Sequence, residues 1–208
     1  MKYANTHAII IKRRNHREAD RMLTLYTEDL GKVTALAKGI RKIDSKRKGQ
    51  LELLNEINVQ LVEGKLWYIV AQVELLESFR ELKSSLETTQ WAYYISEITE
   101  KIIPENEQNE NLYKMLKKTY QFIQEYKSFD IVNAYNLKLL KMLGYYSDQE
   151  MKNYPVDMKD YLSALSKQTY EEILKQNVSN DLLINCHYLL KEKIEEVSEL
   201  SIKTEITI

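Results

Sequence analysis

The sequence predicts an α+β protein of two domains, in which a small β-barrel is followed by an all-α helical domain. Apolar residues alternate with polar ones up to about residue 80 and recur at three- and four-residue intervals after it. Four of the five glycines lie in the first part. We therefore expect a barrel domain in residues 1–80 and a helical domain in residues 81–208.

Five short strands are expected in the first 80 residues. Tight turns are indicated at Asp29-Leu30-Gly31 and at Glu63-Gly64, and one long connection runs from about Gly39 to Leu53. This arrangement favours a five-stranded barrel of the oligonucleotide-binding (OB) type over a sandwich, with an SH3-like barrel as the alternative. The expected strands are His7 to Lys12, Met22 to Tyr26, Lys32 to Lys38, Ile57 to Val62 and Trp67 to Val73.

The rest of the chain has the apolar spacing of helices that pack in a bundle. Pro104 is expected to end the first helix, and Gly144 is suited to the position after the third. The apolar stripes are assigned to packing rather than to a ligand site. The expected helices cover Trp91 to Ile102, Leu112 to Ile123, Ile131 to Leu143, Lys159 to Ser166, Thr169 to Gln176, and a last segment from a Ser179 or Asn180 cap to about Glu199.

Basic residues are concentrated in the first fifty positions. Residues 1–50 carry 13 Lys or Arg against 5 Asp or Glu, a net charge of +8, whereas the other 158 residues carry 17 against 26, a net charge of −9. Six of the seven arginines lie in the first segment, and arginine is suited to binding phosphate and stacking on bases. The asymmetry indicates a polyanion-binding end, and a solvated basic face is the alternative.

The clearest binding signal is the run KGIRKIDSKRK, residues 38–48, in the long barrel connection. It carries six basic residues against one acidic residue and nothing expected to fill a core. We expect a flexible loop that follows a phosphate backbone with little sequence readout, and basic residues near the first turn extend this surface. The candidate DNA contacts are Lys12, Arg13, Arg14, Arg17, Arg21, Lys38, Arg41, Lys42, Lys46, Arg47 and Lys48.

Three aromatic residues are candidates for stacking on bases, and each is equally suited to a core or hairpin position. They are Tyr26, Trp67 and Tyr68.

Neither catalysis nor a cofactor is expected. The scattered glycines form no Walker pattern and no dinucleotide fingerprint. The single cysteine, Cys186, adjoins His187, and neighbouring residues on a helix point about 100° apart, so we expect no metal site there. With one cysteine, no apolar run long enough to span a bilayer and no signal-peptide core, the expected location is the cytoplasm.

Glu18 and Asp20 provide the alternative of an enzyme. On an extended segment both carboxylates would face the same way and imitate the metal-binding pair of a nuclease. We expect them instead to pair locally with Arg17 and Arg21.

Residues 8–42, AIIIKRRNHREADRMLTLYTEDLGKVTALAKGIRK, resemble the opening of the RecO family of recombination mediators. The similarity continues through VEGKLWYIVAQVELLESFREL, residues 62–82, and returns at YNLKLLKMLGY, residues 135–145. The order and spacing of these motifs carry the resemblance. In the first motif the matching positions are Glu18, Asp20, Arg21, Thr27, Gly31, Lys38, Gly39 and Arg41.

The resemblance implies an OB barrel, a helical C-terminal domain, and binding to single- and double-stranded DNA. It also implies annealing of complementary strands coated with single-stranded DNA-binding protein (SSB), contact with the acidic C-terminal tail of SSB and with RecR, and through these the loading of RecA at the nucleoid. An OB-fold protein that binds RNA is the alternative function, because it needs the same phosphate surface.

Two features depart from the family pattern. Many members carry a four-cysteine zinc module after the Leu-Gly-Tyr helix, whereas Tyr146 to Asp157 contains no cysteine, and the usual basic ending is replaced by SELSIKTEITI. These departures concern the surface for protein partners. For the SSB tail we expect an apolar groove with a basic rim, in which Lys138 and Lys141 lie beside Leu139 and Met142.

Overall fold

The computed structural model of the chain describes residues 3–147, 149–150 and 154–207. It divides into two compact units, Met1–Arg80 with Thr99–Lys117, and Glu81–Ile98 with Lys118–Ile208. The predicted class is confirmed, because five strands are followed by helices. The sequence pattern did not indicate that the junction between the first two helices belongs to the barrel unit.

The five strands form a closed barrel in the order β1-β2-β3-β5-β4. β3 and β5 pair in parallel through Ala35 with Tyr68 and Leu36 with Ile69, and the other pairs are antiparallel. This closure is that of an OB barrel, so the predicted fold type and all five strands are confirmed. The strands are β1 (Tyr3–His16), β2 (Asp20–Thr27), β3 (Gly31–Ala37), β4 (Glu56–Glu63) and β5 (Tyr68–Glu77).

A β-bulge in β1 decides which basic side chains face outward. Ile10 pairs with Leu25 inside the barrel, but the register shifts by one residue, so that Lys12 pairs with Thr24. Residues directly opposite each other share a face of the sheet. The extra residue, Ile11, therefore turns Lys12 to the outer face, where strict alternation from Ile10 would have pointed it into the core.

The long connection from β3 to β4 is a chain of tight turns anchored in the core. Backbone hydrogen bonds join Lys42 to Gly39, Ser45 to Lys42 and Lys48 to Ser45, each across three residues. Ile40, inside the basic run, is fully buried in the barrel core. The expectation that nothing in this run fills a core was therefore wrong, because an apolar side chain at the start of the loop closes the end of the barrel. Leu51 and Leu54 are also fully buried.

The junction between the first two helices packs against the barrel. The backbone N–H of Asn106 donates to the carbonyl of Lys32 at 2.9 Å. Gly31 has φ +68°, and a Cβ there would collide with the backbone of Glu107. Only glycine permits both this backbone conformation and this close approach.

The predicted helices are confirmed, although the first begins at Leu86 instead of Trp91 and the fifth ends at Ile173 instead of Gln176. Gly144 has φ +78°, and the N–H of Tyr145 reaches the carbonyl of Leu140 at 2.8 Å, which is the predicted glycine-terminated helix end. No helix among the described residues is both long and apolar enough to cross a membrane. The helices are α1 (Leu86–Ile102), α2 (Glu110–Tyr126), α3 (Asp130–Met142), α4 (Val156–Lys167), α5 (Tyr170–Ile173) and α6 (Asn180–Ser198), and a 3-10 turn spans Arg80–Lys83.

The helical unit is built around α3. Its residues are buried on nearly every side, and α4, α5 and α6 contact it. Two buried asparagines of α3 are hydrogen-bonded. The amide of Asn133 donates to the carbonyl of Leu183 at 3.0 Å, and that of Asn136 donates to the hydroxyl of Tyr94 at 3.1 Å. Such pairing offsets part of the cost of burying these amides, although the side-chain oxygen of Asn136 has no hydrogen-bond partner among the described residues.

Candidate nucleic-acid interface

The turn between β1 and β2 is fixed to the start of residues 38–48, which we call the basic loop. The carboxylate of Asp20 accepts a hydrogen bond from the N–H of Gly39 at 2.7 Å. The N–H of Arg41 donates to the carbonyl of Ala19 at 2.9 Å, and its guanidinium donates to the carbonyl of Arg17 at 3.1 Å. Two basic segments that are distant in sequence therefore lie together at one end of the barrel.

The turn between β4 and β5 lies at the same end. The guanidinium of Arg47 donates to the carbonyl of Lys38 at 2.9 Å and to that of Val70, in β5, at 3.4 Å. The ring of Trp67 lies edge-on to that of His16, with centroids 6.0 Å apart. We call this part of the barrel, formed by residues 14–17, residues 38–48 and Trp67, the basic end.

Most cations of the basic end face solvent. Arg14 and Arg17 are exposed, as are all four lysines of the loop. Among the described residues, these lysines have no acidic side chain within ion-pair distance. They are therefore available to a polyanion without breaking an internal pair. The four are Lys38, Lys42, Lys46 and Lys48.

Two of the predicted DNA contacts, Arg13 and Arg21, brace the loop. Arg13 and Arg21 both bind the carboxylate of Glu52, the latter at 3.2 Å. Burial, with the nearby charges of Arg13 and Arg41, lowers the pKa of Arg21. Arg13 and Arg21 therefore share one carboxylate of the loop, and their contact with DNA stays a prediction.

Lys12 and Arg14 line a separate cleft on the outer face of β1, β2 and β3. The ammonium of Lys12 pairs with Glu100 at 2.8 Å. Lys32, which the sequence had assigned only to a strand, also lines this cleft. Lys32 lies beside Lys12 and Arg14 because of the way the strands pair. The pattern of a single strand in the sequence does not reveal which strands are neighbours.

The three candidate stacking aromatics differ in accessibility. Tyr26 is fully buried, and its hydroxyl approaches the carbonyl of Asn109 at 3.4 Å, so its ring is closed to a base. Tyr68 packs partly against the barrel core. Trp67 is half-buried at the basic end and is the ring best placed for stacking.

The predicted local pairing of Glu18 and Asp20 with arginines is not observed. Asp20 caps the loop backbone at Gly39, and Glu18 is exposed in the turn. Among the described residues, no three His, Cys, Asp or Glu side chains lie close enough to hold a metal ion.

The two lysines predicted to contact a partner are engaged within the helical unit. Lys138 donates to the carbonyl of Gln168 at 2.8 Å, and Lys141 donates to the hydroxyl of Ser166 at 2.6 Å. Burial and the charges of Lys118 and Lys141 lower the pKa of Lys138. Leu139 is fully buried, so the prediction that this side chain lines a groove beside the two lysines was wrong.

Cys186 and His187 belong to the core of the helical unit. Both are buried, and the His187 ring lies 5.0 Å from Phe129 and 5.2 Å from Tyr94. Burial raises the pKa of the Cys186 thiol to about 12 and lowers that of His187 to about 4.

The chain has a closed OB barrel with basic loops gathered at one end, followed in the chain by a helical unit. It is therefore an OB-fold protein with an additional helical domain. The family model described as "Recombination protein O N terminal" matches residues 1–79, and "Recombination protein O C terminal" matches residues 83–206. The chain belongs to the recombination protein O (RecO) family, as the sequence motifs indicated.

Relatives named "DNA repair protein RecO" show the same similarity. The protein of Thermoanaerobacter sp. (strain X514) is 33% identical over 147 residues, which cover 70% of this chain and 59% of the relative. That of Roseiflexus sp. (strain RS-1) is 35% identical over 141 residues, covering 67% and 50%. This chain thus spans little more than half the length of the curated relatives it matches.

Proposed function

We propose that the chain binds single- and double-stranded DNA at its basic end and anneals complementary strands during recombinational repair. The observation that carries the proposal is the convergence of three loops, which presents exposed lysines beside Trp67 at one end of an OB barrel. The residues proposed to contact DNA directly are Arg14, Arg17, Lys38, Lys42, Lys46 and Lys48. Arg41 and Arg47 hold the loop backbone and add charge.

The mechanism follows from where these cations act. Lysines and arginines that neutralise phosphates release counterions, and this gives affinity without reading sequence. Contacts to the phosphate backbone leave the base edges free to pair with a second strand. Neutralising phosphate charge also lowers the repulsion between two strands that approach each other. The activity requires no cofactor and no catalytic residue.

We further propose that residues 1–80 form the DNA-binding domain and residues 81–208 recruit protein partners at the nucleoid in the cytoplasm. The partners are SSB, through its acidic tail, and RecR, with RecA loaded as a consequence. Lys138 and Lys141, with the neighbouring Lys118, give the otherwise acidic helical unit a positive cluster beside the exposed Met142. An acidic peptide that ends in an apolar residue matches this combination.

The test uses charge reversal of loop lysines whose side chains form no hydrogen bond or ion pair with the described residues. Lys42→Glu, Lys46→Glu and Lys48→Glu are combined in one variant, and Lys167→Glu, Lys175→Glu and Lys203→Glu in a matched control on exposed sites of the helical unit. Fluorescence anisotropy of a labelled oligothymidylate is measured over a range of salt. The slope of log affinity against log salt should shrink by about 0.7 per lost contact, or about 2 for three lysines.

The control variant should keep both the affinity and the salt slope of the wild-type protein. Equal losses in the two variants would show that net charge, and not the basic end, governs binding. The same titration with RNA of equal length separates a DNA mediator from an RNA-binding protein. For the helical unit, reversal of Lys138 and Lys141 should weaken binding of an SSB-tail peptide, and unchanged binding would place that contact elsewhere.

A further inference from the structure

The outer face of β1, β2 and β3 carries a row of cationic and hydroxyl side chains. Strand pairing brings Lys12, Thr24 and Thr34 side by side, since Lys12 lies opposite Thr24 and Thr24 opposite Thr34. Arg14 and Lys32 flank this row, and together they line a cleft of about 180 Å³. That volume is more than ten times what a single water molecule needs, and cations with hydroxyl groups are the donors that bind phosphate.

Two carboxylates occupy this cleft. Glu100, near the end of α1, binds Lys12 at 2.8 Å, and Glu105 accepts a hydrogen bond from the hydroxyl of Thr34 at 3.2 Å. The backbone holds both in place, because the carbonyl of Glu100 accepts from the ammonium of Lys32 at 2.6 Å and Glu105 bridges to the Lys32 backbone. The carboxylates thus lie against the groups that would otherwise contact an anion.

We propose that this outer cleft is a second binding site for nucleic-acid phosphate, which Glu100 and Glu105 keep closed by occupying it as phosphate mimics. The cleft holds three cations and two carboxylates, so only one net positive charge is open to a strand while the carboxylates stay in place. Arg14 connects the cleft to the basic end, so a strand held by the basic loop can extend into it. The inference rests on the proposed DNA binding and adds its regulation.

Burial supports the role of Lys32. The residue is 9% exposed, and desolvation lowers its pKa, while Glu100 and Glu105 act in the opposite direction. A cation in this position needs anionic neighbours, and a phosphate supplies the same charge as a carboxylate. If a phosphate replaced one of the carboxylates, the positive charge of Lys32 would therefore still have an anion beside it.

The test neutralises the carboxylates without removing their hydrogen-bond acceptors. The variant combines Glu100→Gln and Glu105→Gln, and the matched control combines Glu107→Gln and Glu110→Gln, two exposed carboxylates of the same segment that do not line the cleft. Affinity for a labelled oligothymidylate is measured against salt for both. The first variant should bind roughly tenfold more tightly, a coupling of ordinary size, with a salt slope steeper by about 0.7 for each additional phosphate that the cleft neutralises.

A second comparison assigns the tighter binding to the cleft. Arg14→Gln should weaken binding by a larger factor in the Glu100→Gln, Glu105→Gln background than in the wild-type background. The change at Glu100 could disturb the end of α1. In that case the affinity of Glu105→Gln alone is compared with that of Glu107→Gln. Equal affinities of cleft and control variants, or an Arg14→Gln effect that is the same in both backgrounds, would overturn the proposal.

The outcomes also separate this inference from the function on which it rests. If the wild-type protein binds the oligonucleotide and reversal of the loop lysines weakens it, DNA binding stands whatever the cleft variants show. If the loop variant binds as well as the wild type, DNA binding at the basic end fails first.

Discussion

The buried carboxylate of Glu56 joins the start of α2 to the barrel. Substitution of its partner on α2, Lys117, tests how much this pair stabilises the barrel unit. Glu56 is 2% exposed, accepts a hydrogen bond from the hydroxyl of Tyr113 at 2.8 Å and pairs with the ammonium of Lys117 at 2.7 Å. Lys117→Met keeps the length and apolar stem of the side chain but removes the charge. The carboxylate then lacks the cation that binds it in the wild-type protein.

The expected loss in the free energy of unfolding follows from how deeply Glu56 and Lys117 are buried. Removing one member of a fully buried ion pair costs about 3–5 kcal/mol. The Lys117 side chain is 38% exposed, so water screens part of the interaction. We therefore expect Lys117→Met to lower the free energy of unfolding by about 2–3 kcal/mol. Glu56→Gln in addition removes the uncompensated charge, so the double variant should be more stable than Lys117→Met alone.

Urea denaturation followed by far-UV circular dichroism measures these differences. Lys114→Met is the control, because Lys114 lies on the same helix in a pair with Glu110 whose two side chains are both more than half exposed. Such a pair contributes about 0.3–0.5 kcal/mol. The reasoning would be refuted by equal losses for Lys114→Met and Lys117→Met, or by a double variant that is no more stable than Lys117→Met.

Three further predictions concern other parts of the fold. Gly31→Ala should lower the free energy of unfolding by about 2 kcal/mol or more, because φ is +68° and the new Cβ meets the Glu107 backbone, whereas Gly49→Ala, in open space, should leave the melting temperature nearly unchanged. The pKa of His187, about 4 when folded against about 6.5 when unfolded, means that the neutral ring stabilises the fold above pH 6.5 and that about 3 kcal/mol is lost progressively as the pH falls from 6.5 to 4. His187→Gln should remove this share of the acid sensitivity in urea titrations at pH 7 and pH 4, and an unchanged difference would contradict it. With its thiol buried and its pKa raised to about 12, Cys186 should react with Ellman's reagent at pH 8 only after unfolding, and elemental analysis should find no stoichiometric zinc.

Local patterns were sufficient to predict the secondary structure. Alternation in β2 and β3, and the glycine after α3, depend on neighbours within a few residues of each other, so the strands and the end of α3 at Gly144 were predicted correctly. The basic run at residues 38–48 was likewise located in the long connection. What the sequence did not reveal is the side of the sheet on which each basic residue lies.

The features that the sequence did not reveal share a cause in long-range packing. The bulge at Ile11 moves Lys12 to the outer face, and Glu52, from the far end of the loop, neutralises Arg13 and Arg21. Ile40 stands among charged residues in the sequence, with no apolar pattern around it, yet the chain turns inward there. None of these contacts can be derived from spacing, because each joins segments whose separation is set by the closure of the barrel.

The anchoring of the basic loop has a consequence for the entropy of binding. A disordered loop loses about 1–2 kcal/mol of backbone entropy per residue when a ligand orders it, whereas this loop already runs through successive hydrogen-bonded turns. Its lysines are presented on a backbone that folding has ordered in advance. Ile40 and Leu51, which no ligand at the surface would touch, are therefore part of the interface in an energetic sense. A smaller side chain at either position would loosen the loop and weaken the binding of a polyanion even though every charge remained.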